Sequence, residues 1–385
     1  MSGLRIALLA HSTNPRGGVV HTLGLADALV RLGNHVTVHA PDQAGRGFFR
    51  PTLAETVSVP ASAVDAHDTA SMVETRVADY LRYFEHADNR RFDIFHAQDG
   101  ISGNALASLK ARGLIPNFVR TVHHIDTFAD PRVTVLQARA IREADRHVVV
   151  SEFWRETLAF DWGLDSTVVG NGVDTLRYVP DYDGREDALR AKLGLRGGPV
   201  FLSIGGVEER KNALGILEAF RQVHSLYPGA QLVIAGGVSL LDHEAYRKAF
   251  DTALSASGLP RDAVILAGRI ADEDMPALYR IATTLLFPSL KEGFGLCVLE
   301  AMASGVPVVT SSIAPFTEYL GPDDVAWCDP ASPSSIADAT ALTLSVPMRG
   351  RLIAKGHEVA ARHDWSRTAE KHLAVYAGLL EFANA

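Results

Sequence analysis

Thr284-Leu-Leu-Phe-Pro-Ser-Leu-Lys-Glu-Gly-Phe-Gly-Leu-Cys-Val-Leu-Glu-Ala-Met-Ala-Ser-Gly-Val-Pro-Val-Val-Thr310 decides the fold. The apolar run at 284–287 has the length and composition of a strand buried on both faces. The chain then passes through a loop holding Gly293 and Gly295 into a segment of helical periodicity, and a second apolar run follows at 307–310. Strand, loop, helix and strand in that order make a βαβ unit, whose two strands lie parallel.

The same alternation continues in both directions. Strands are expected at 200–204, 231–235, 263–267, 284–287, 307–310 and 325–328, and in the first half at 5–10, 35–40, 92–98, 118–123, 147–150 and 167–169, with helices in most of the gaps. Residues 42–70 are weakly patterned, with Gly45, Gly47, Pro51 and Pro60 among polar residues, and read as loops with room for one short strand. A chain of 385 residues exceeds one core of ordinary size. The expected fold class is therefore α/β, with two Rossmann-like, doubly wound parallel-sheet domains facing across a cleft. The first domain is placed at 1–175, a charged, Gly-rich linker at 176–198, and the second domain at 199–362. Helices are expected at 333–345, 349–362 and 366–382; the last, within 363–385, is expected to pack back on the first domain.

Bulk properties exclude several classes. Net charge is -8 with both signs mixed along the chain, and no basic run tracks a phosphodiester backbone, so no nucleic-acid partner is expected. No apolar window is long enough to span a bilayer, which leaves peripheral membrane contact open. The N-terminus reads as a first strand and not as a signal peptide, since Arg5 and His11 interrupt or follow its apolar stretch. Cys297 and Cys328 make no disulfide framework, so a reducing, cytoplasmic setting is expected.

Chemistry gathers at strand ends. The amides from Gly293 to Cys297, at the positive end of a helix dipole, suit a diphosphate, and the glycines let its oxygens approach. Glu300, about two turns into the helix, can accept from two ribose hydroxyls. Either glutamate alone, Glu292 or Glu300, is more often a surface carboxylate; their combination with the glycines reverses that reading. Ser203-Ile-Gly-Gly-Val-Glu-Glu-Arg-Lys-Asn212 again joins a strand to a helix and brings Arg210 and Lys211 to the carboxyl edge of the same sheet, where two cations can neutralise a leaving diphosphate. In the first domain, Asn14-Pro-Arg-Gly-Gly-Val-Val-His21 offers the amides of Gly17 and Gly18 to an anion or sugar, and Arg120-Thr-Val-His-His-Ile-Asp126 ends a strand where ligands bind. His123 or His124 is expected to line the cleft, with Asp126 and Asp99 on the acceptor side.

Other chemistries lack their residues. The Gly-x-Gly-x-x-Gly fingerprint is absent after the first strand, which disfavours a nicotinamide enzyme. Asp272-Glu-Asp274 and Asp181-Tyr-Asp183 resemble metal-holding aspartate pairs, but the first opens a helix and the second lies in the proposed linker, so structural roles are expected and no metal ion. Ser151 has no nucleophile elbow and neither cysteine a nucleophile setting.

With Glu292-Gly-Phe-Gly-Leu and Glu300 spaced E-x7-E, followed by Ala-Met-Ala-Ser-Gly-Val-Pro-Val-Val, the chain resembles the family-four retaining glycosyltransferases of GT-B fold, the glycosyl transferases group 1. Gly17-Gly18, Thr121-Val-His123, Asn171-Gly-Val-Asp174, Gly268-Arg-Ile270 and Phe287-Pro-Ser289 follow the family's order, so the resemblance covers nearly the whole chain. It implies that Glu300 binds ribose, that Glu292 and His123 lie beside the donor sugar, and that Gly293, Phe294, Gly295 and Leu296 contact sugar and phosphate. Arg269 and Ile270 fall where the family contacts the base. Many members carry an arginine where this chain has Gly206; the sequence instead resembles the variant with contiguous Arg-Lys-Asn, so that Arg210 with Lys211 supplies both charges.

The expected function is transfer of a hexose-type sugar, with retention and without a metal ion or other cofactor, from a nucleoside-diphosphate sugar to a hydroxyl on a small-molecule, glycan or lipid acceptor. A nucleotide-sugar epimerase of similar fold and a non-catalytic sugar-nucleotide binder are the rivals.

Overall fold

The computed structural model describes residues 3–64, 68–237 and 244–383. Residues 65–67, inside the stretch read as loop, and the ends of the first and last assigned segments lie outside the described residues. The chain runs β1 (Arg5–Leu9), α1 (Gly17–Arg31), β2 (His35–Asp42), β3 (Glu55–Pro60), α2 (Thr69–Phe84), β4 (Ile94–Ala97), α3 (Gly100–Ala111), β5 (Val119–Val122), α4 (Pro131–Arg142), β6 (Arg146–Val149), α5 (Glu152–Thr157) and β7 (Thr167–Val168). It continues with α6 (Arg185–Leu193), β8 (Val200–Ile204), α7 (Ala213–Leu226), β9 (Gln231–Ala235), α8 (Glu244–Ala256), β10 (Val264–Gly268), α9 (Met275–Arg280), β11 (Thr284–Phe287), α10 (Leu296–Ala303) and β12 (Val308–Ser311). The last elements are α11 (Phe316–Tyr319), β13 (Ala326–Cys328), α12 (Pro333–Leu344), α13 (Val346–Arg362) and α14 (Trp365–Ala383).

Two compact units result: residues 1–172 with 365–385, and residues 173–364. Unit 1 holds a seven-stranded sheet in the order β3-β2-β1-β4-β5-β6-β7, and unit 2 a six-stranded sheet in the order β10-β9-β8-β11-β12-β13. Every strand pairing is parallel. Both are thus doubly wound α/β sheets, and strand order reverses between β1 and β4 in unit 1 and between β8 and β11 in unit 2. Loops leaving the carboxyl ends on either side of such a reversal diverge, and the gap they leave is where open α/β sheets bind ligands.

One expectation needs correction. Residues 176–198 are no linker: they belong to unit 2 and contain α6. Its Glu186, fully buried, is bound to Arg280 of α9, which also reaches Asp183 at 2.9 Å. Charge and glycine content mark this stretch as a linker, whereas Asp183 and Glu186 tie it to Arg280 of α9. The weakly patterned region 42–70, read with room for one short strand, contains β3, an edge strand on β2 in which Val59 alone is buried.

Helix α14 belongs to unit 1 and packs on α1. The contact requires Gly24: a Cβ there would lie 2.5 Å from the indole of Trp365, the residue that opens α14. Gly24→Ala is therefore expected to destabilise unit 1 by about 1–3 kcal/mol through overpacking, read as a lower urea midpoint for the unit 1 transition.

Candidate active site

In unit 2 the loops after β8 and β11 flank the reversal point. The first turns on Gly205 and Gly206, with φ of 125° and 76°, conformations that side chains rarely adopt. A Cβ on Gly205 would lie 2.7 Å from the Lys211 chain, so this glycine lets the lysine fold back over the turn. Asn212, the one non-glycine residue of positive φ among the described residues, bridges the region by donating its amide to the carbonyls of Pro288 (3.1 Å) and Pro330 (2.7 Å). The Leu290 amide donates to the Arg210 carbonyl at 2.9 Å and locks the two loops together.

That lock brings three charges together. Lys211 Nζ donates to Glu292 Oε1 at 2.5 Å, and Arg210 Nη1 to the same oxygen at 2.8 Å. Glu292 and Lys211 are buried, whereas the Arg210 side chain is 39 % exposed. The Lys211 ammonium also sits over the Phe287 ring, 4.2 Å from its centroid. Burial works against an ionised Glu292, but Lys211 and then Arg210 overcome it and hold the carboxyl below its ordinary range. The sequence reading treated the pair of cations and Glu292 as separate features; in the structure they form one cluster, in which Arg210 also lies 3.7 Å from Glu208.

Helix α10 starts beyond that cluster. Its N-cap is Gly295, at φ 96°, where a Cβ would lie 2.6 Å from Phe316. The Phe294 ring is buried, stacked on Tyr319 at 4.5 Å, so this residue can offer a ligand only its backbone. Glu300 Oε2 accepts from the Tyr279 hydroxyl at 2.6 Å. Burial first, and then Glu300, push the Tyr279 phenol well above its ordinary value, which keeps it a donor. Ile270 is buried and Arg269 is exposed after Gly268, itself at φ 63°. Arg177 pairs with Asp272 at 2.8 Å and Arg185 with Asp274 at 3.8 Å.

In unit 1, Gly17 and Gly18 open α1 after its Arg16 cap. A Cβ on Gly18 would come within 3.9 Å of the His123 ring, which places the histidine against this helix start. His123 meets His21 edge-on, with ring centroids 4.6 Å apart. Burial, followed by the neighbouring His21 and Arg120, keeps the His123 imidazole neutral far below its ordinary range. His124 is exposed and pairs with Asp126 at 2.9 Å. Asp99 caps α3 by accepting from the Ser102 amide at 2.9 Å, and its other oxygen lies 3.7 Å from His11.

Tyr279 as partner of Glu300, and Asn212 as the bracket between loops, escaped the reading of residue roles. Asn212 stands directly after Arg-Lys, and asparagine tolerates positive φ better than other side chains, so a turn there was the available signal. Among the described residues, no group of three or more His, Cys, Asp or Glu side chains is placed to hold a metal ion, and no helix is long and apolar enough to cross a membrane.

Two doubly wound units, each with its polar residues at the strand-order reversal, define the GT-B fold of glycosyltransferases. The chain matches the model described as "Glycosyltransferase Family 4" over residues 15–177 and that described as "Glycosyl transferases group 1" over residues 185–371, and it belongs to this glycosyltransferase family. It is 27% identical to a phosphatidyl-myo-inositol mannosyltransferase of Propionibacterium freudenreichii, over 97% of this chain and 94% of the relative. Among solved structures it resembles a sucrose-phosphate synthase of Thermosynechococcus elongatus, with a TM-score of 0.79 at 20% identity over 99% of both chains. It also resembles Anabaena HepE in complex with UDP and glucose, with a TM-score of 0.77 at 17% identity over 97% of this chain and 99% of that one.

Proposed function

We propose that this glycosyltransferase moves a hexose-type sugar from a nucleoside-diphosphate donor to a hydroxyl acceptor, with retention, without a metal ion, and in the cytoplasm. The observation that carries the reading is the Arg210–Lys211–Glu292 cluster at the strand-order reversal of unit 2. Buried Lys211, with Arg210 bridging Glu292 and, at 3.7 Å, Glu208, places fixed positive charge beside the glycine loop that opens α10. That charge suits a diphosphate, and Glu300 suits the ribose hydroxyls. The mannosyltransferase relative and the UDP and glucose of the HepE complex are consistent with such a donor.

In the proposed step the bond from the anomeric carbon to the diphosphate oxygen breaks, and its electron pair stays on the diphosphate. The acceptor oxygen bonds the same carbon from the leaving-group side and passes its proton to the departing diphosphate. Negative charge on the diphosphate grows as the bond breaks, so Lys211, Arg210 and the loop amides stabilise the transition state more than the ground state.

Calorimetry with UDP-, GDP- and ADP-sugars in EDTA, on wild type and Glu300→Ala, tests the reading. One donor is expected to bind the wild type tightly and the variant at least tenfold more weakly. Folded wild type that binds no donor would exclude the nucleotide-sugar reading. Sugar conversion without acceptor would favour an epimerase, and donor binding without turnover on any acceptor would favour a binding protein.

A further inference from the structure

The strand-order reversal of unit 1 lies between β1 and β4, and the residue that follows β4 is Gln98. Side chains alternate along a strand, which puts Gln98 on the face of His96, and Thr121 and His123 share that face. The 2.7 Å bond between His96 Nε2 and Thr121 Oγ1 crosses between the two strands on it. Gln98 is 2% exposed, yet neither its Oε1 nor its Nε2 has a hydrogen-bond partner among the described residues. His21 Nε2 and His123 Nε2 are likewise buried without partners, on rings 4.6 Å apart. Buried polar atoms are almost always paired, so four such atoms grouped beside the start of α1 and the carboxyl edge of β4 and β5 mark a network that a ligand completes.

The chemistry of that ligand follows from the atoms on offer. Asn171 Oδ1 accepts from His21 Nδ1 at 2.5 Å, which leaves His21 Nε2 a lone pair. Burial keeps both imidazoles uncharged. Gln98 contributes one acceptor and one donor group, also neutral. Arg120 and Asp99, which act on each other as opposite charges and also keep an atom each unpartnered among the described residues, leave no surplus charge for a phosphate or carboxylate, whereas a hydroxyl both donates and accepts.

We propose that Gln98, with His21 and His123, binds the ring hydroxyls of a neutral pyranose or cyclitol, which deepens the glycosyltransferase reading by assigning unit 1 a sugar-recognition box. The ring is either that of a free acceptor or the sugar of the donor, and two arms of one experiment separate these sources. In the first, saturation-transfer NMR follows D-glucose, D-mannose and myo-inositol on the full-length protein. In the second, calorimetry compares UDP-glucose with UDP and GDP-mannose with GDP. Gln98→Leu, of similar size, is expected to weaken binding at least tenfold in one arm, with UDP and GDP affinity changed less than twofold. Its melting temperature is expected to equal or exceed that of the wild type, because the substitution removes unpaired buried atoms. Affinities independent of Gln98 in both arms would overturn the proposal, and so would a lowered melting temperature, which would make Gln98 a structural partner. The first arm needs no nucleotide, so it stands or falls separately from the donor reading.

Discussion

Lys211→Ala is expected to lower turnover at saturating donor by about 10²–10³-fold, the usual effect of deleting one fixed group that faces developing negative charge. The residue is buried, lies over the Phe287 ring and is held by Glu292, so its ammonium needs no reorganisation to act. Arg210, more than a third exposed, is screened by solvent, and Arg210→Ala is expected to cost less. The Lys211 variant should also be less stable, because Glu292 stays buried with only that screened partner. The sign with pH follows from the same pair. Glu292 ionises below its ordinary range in the folded protein, so the stability it contributes is present above the unfolded glutamate pKa and lost as pH falls through the folded value. Initial rates under saturating donor, beside thermal melts, check both effects. A Lys211→Ala enzyme within threefold of wild-type turnover would remove the lysine from leaving-group stabilisation.

What the sequence made legible was whatever local pattern encodes. The βαβ alternation placed all six strands of unit 2 and six of the seven in unit 1, because strands buried on both faces are written as apolar runs. It left β3 open, since an edge strand with one buried residue carries no such signature. The loops holding Arg210, Lys211 and Glu292 were found from glycines next to strand ends. That Arg210 and Lys211 share one oxygen of Glu292 was not legible, because the Leu290–Arg210 backbone bond and the Asn212 bridge join residues some eighty positions apart. Gln98 was invisible for a related reason. A glutamine after a strand is ordinary in sequence, and only its burial without partners sets it apart.

Acidification is expected to unfold unit 1 before unit 2. Six histidines of unit 1, His21, His39, His96, His123, His147 and His372, have pKa values depressed first of all by burial. His21 falls to about 4, and His39 and His372 to about 3. The unfolded chain binds protons at these side chains below about pH 6.5, while the folded unit does not. Stability rises with pH wherever the unfolded state holds more protons, so it is complete above that value and is lost as pH falls toward the folded pKa values. The loss is about 1 kcal/mol for each pH unit and each strongly depressed histidine, and several titrate together, so the total approaches the whole stability of an ordinary domain. Carboxylates held low in unit 2, Glu186 and Glu292, give way only in the more acidic range of ordinary glutamates. Hydrogen exchange followed by mass spectrometry at pH 7, 5.5 and 4.5 should therefore show β1, β4, β5 and α14 losing protection while β8, β11 and β12 retain it. Simultaneous loss in both units would mean that burial of the histidines is not what sets the acid limit of the fold.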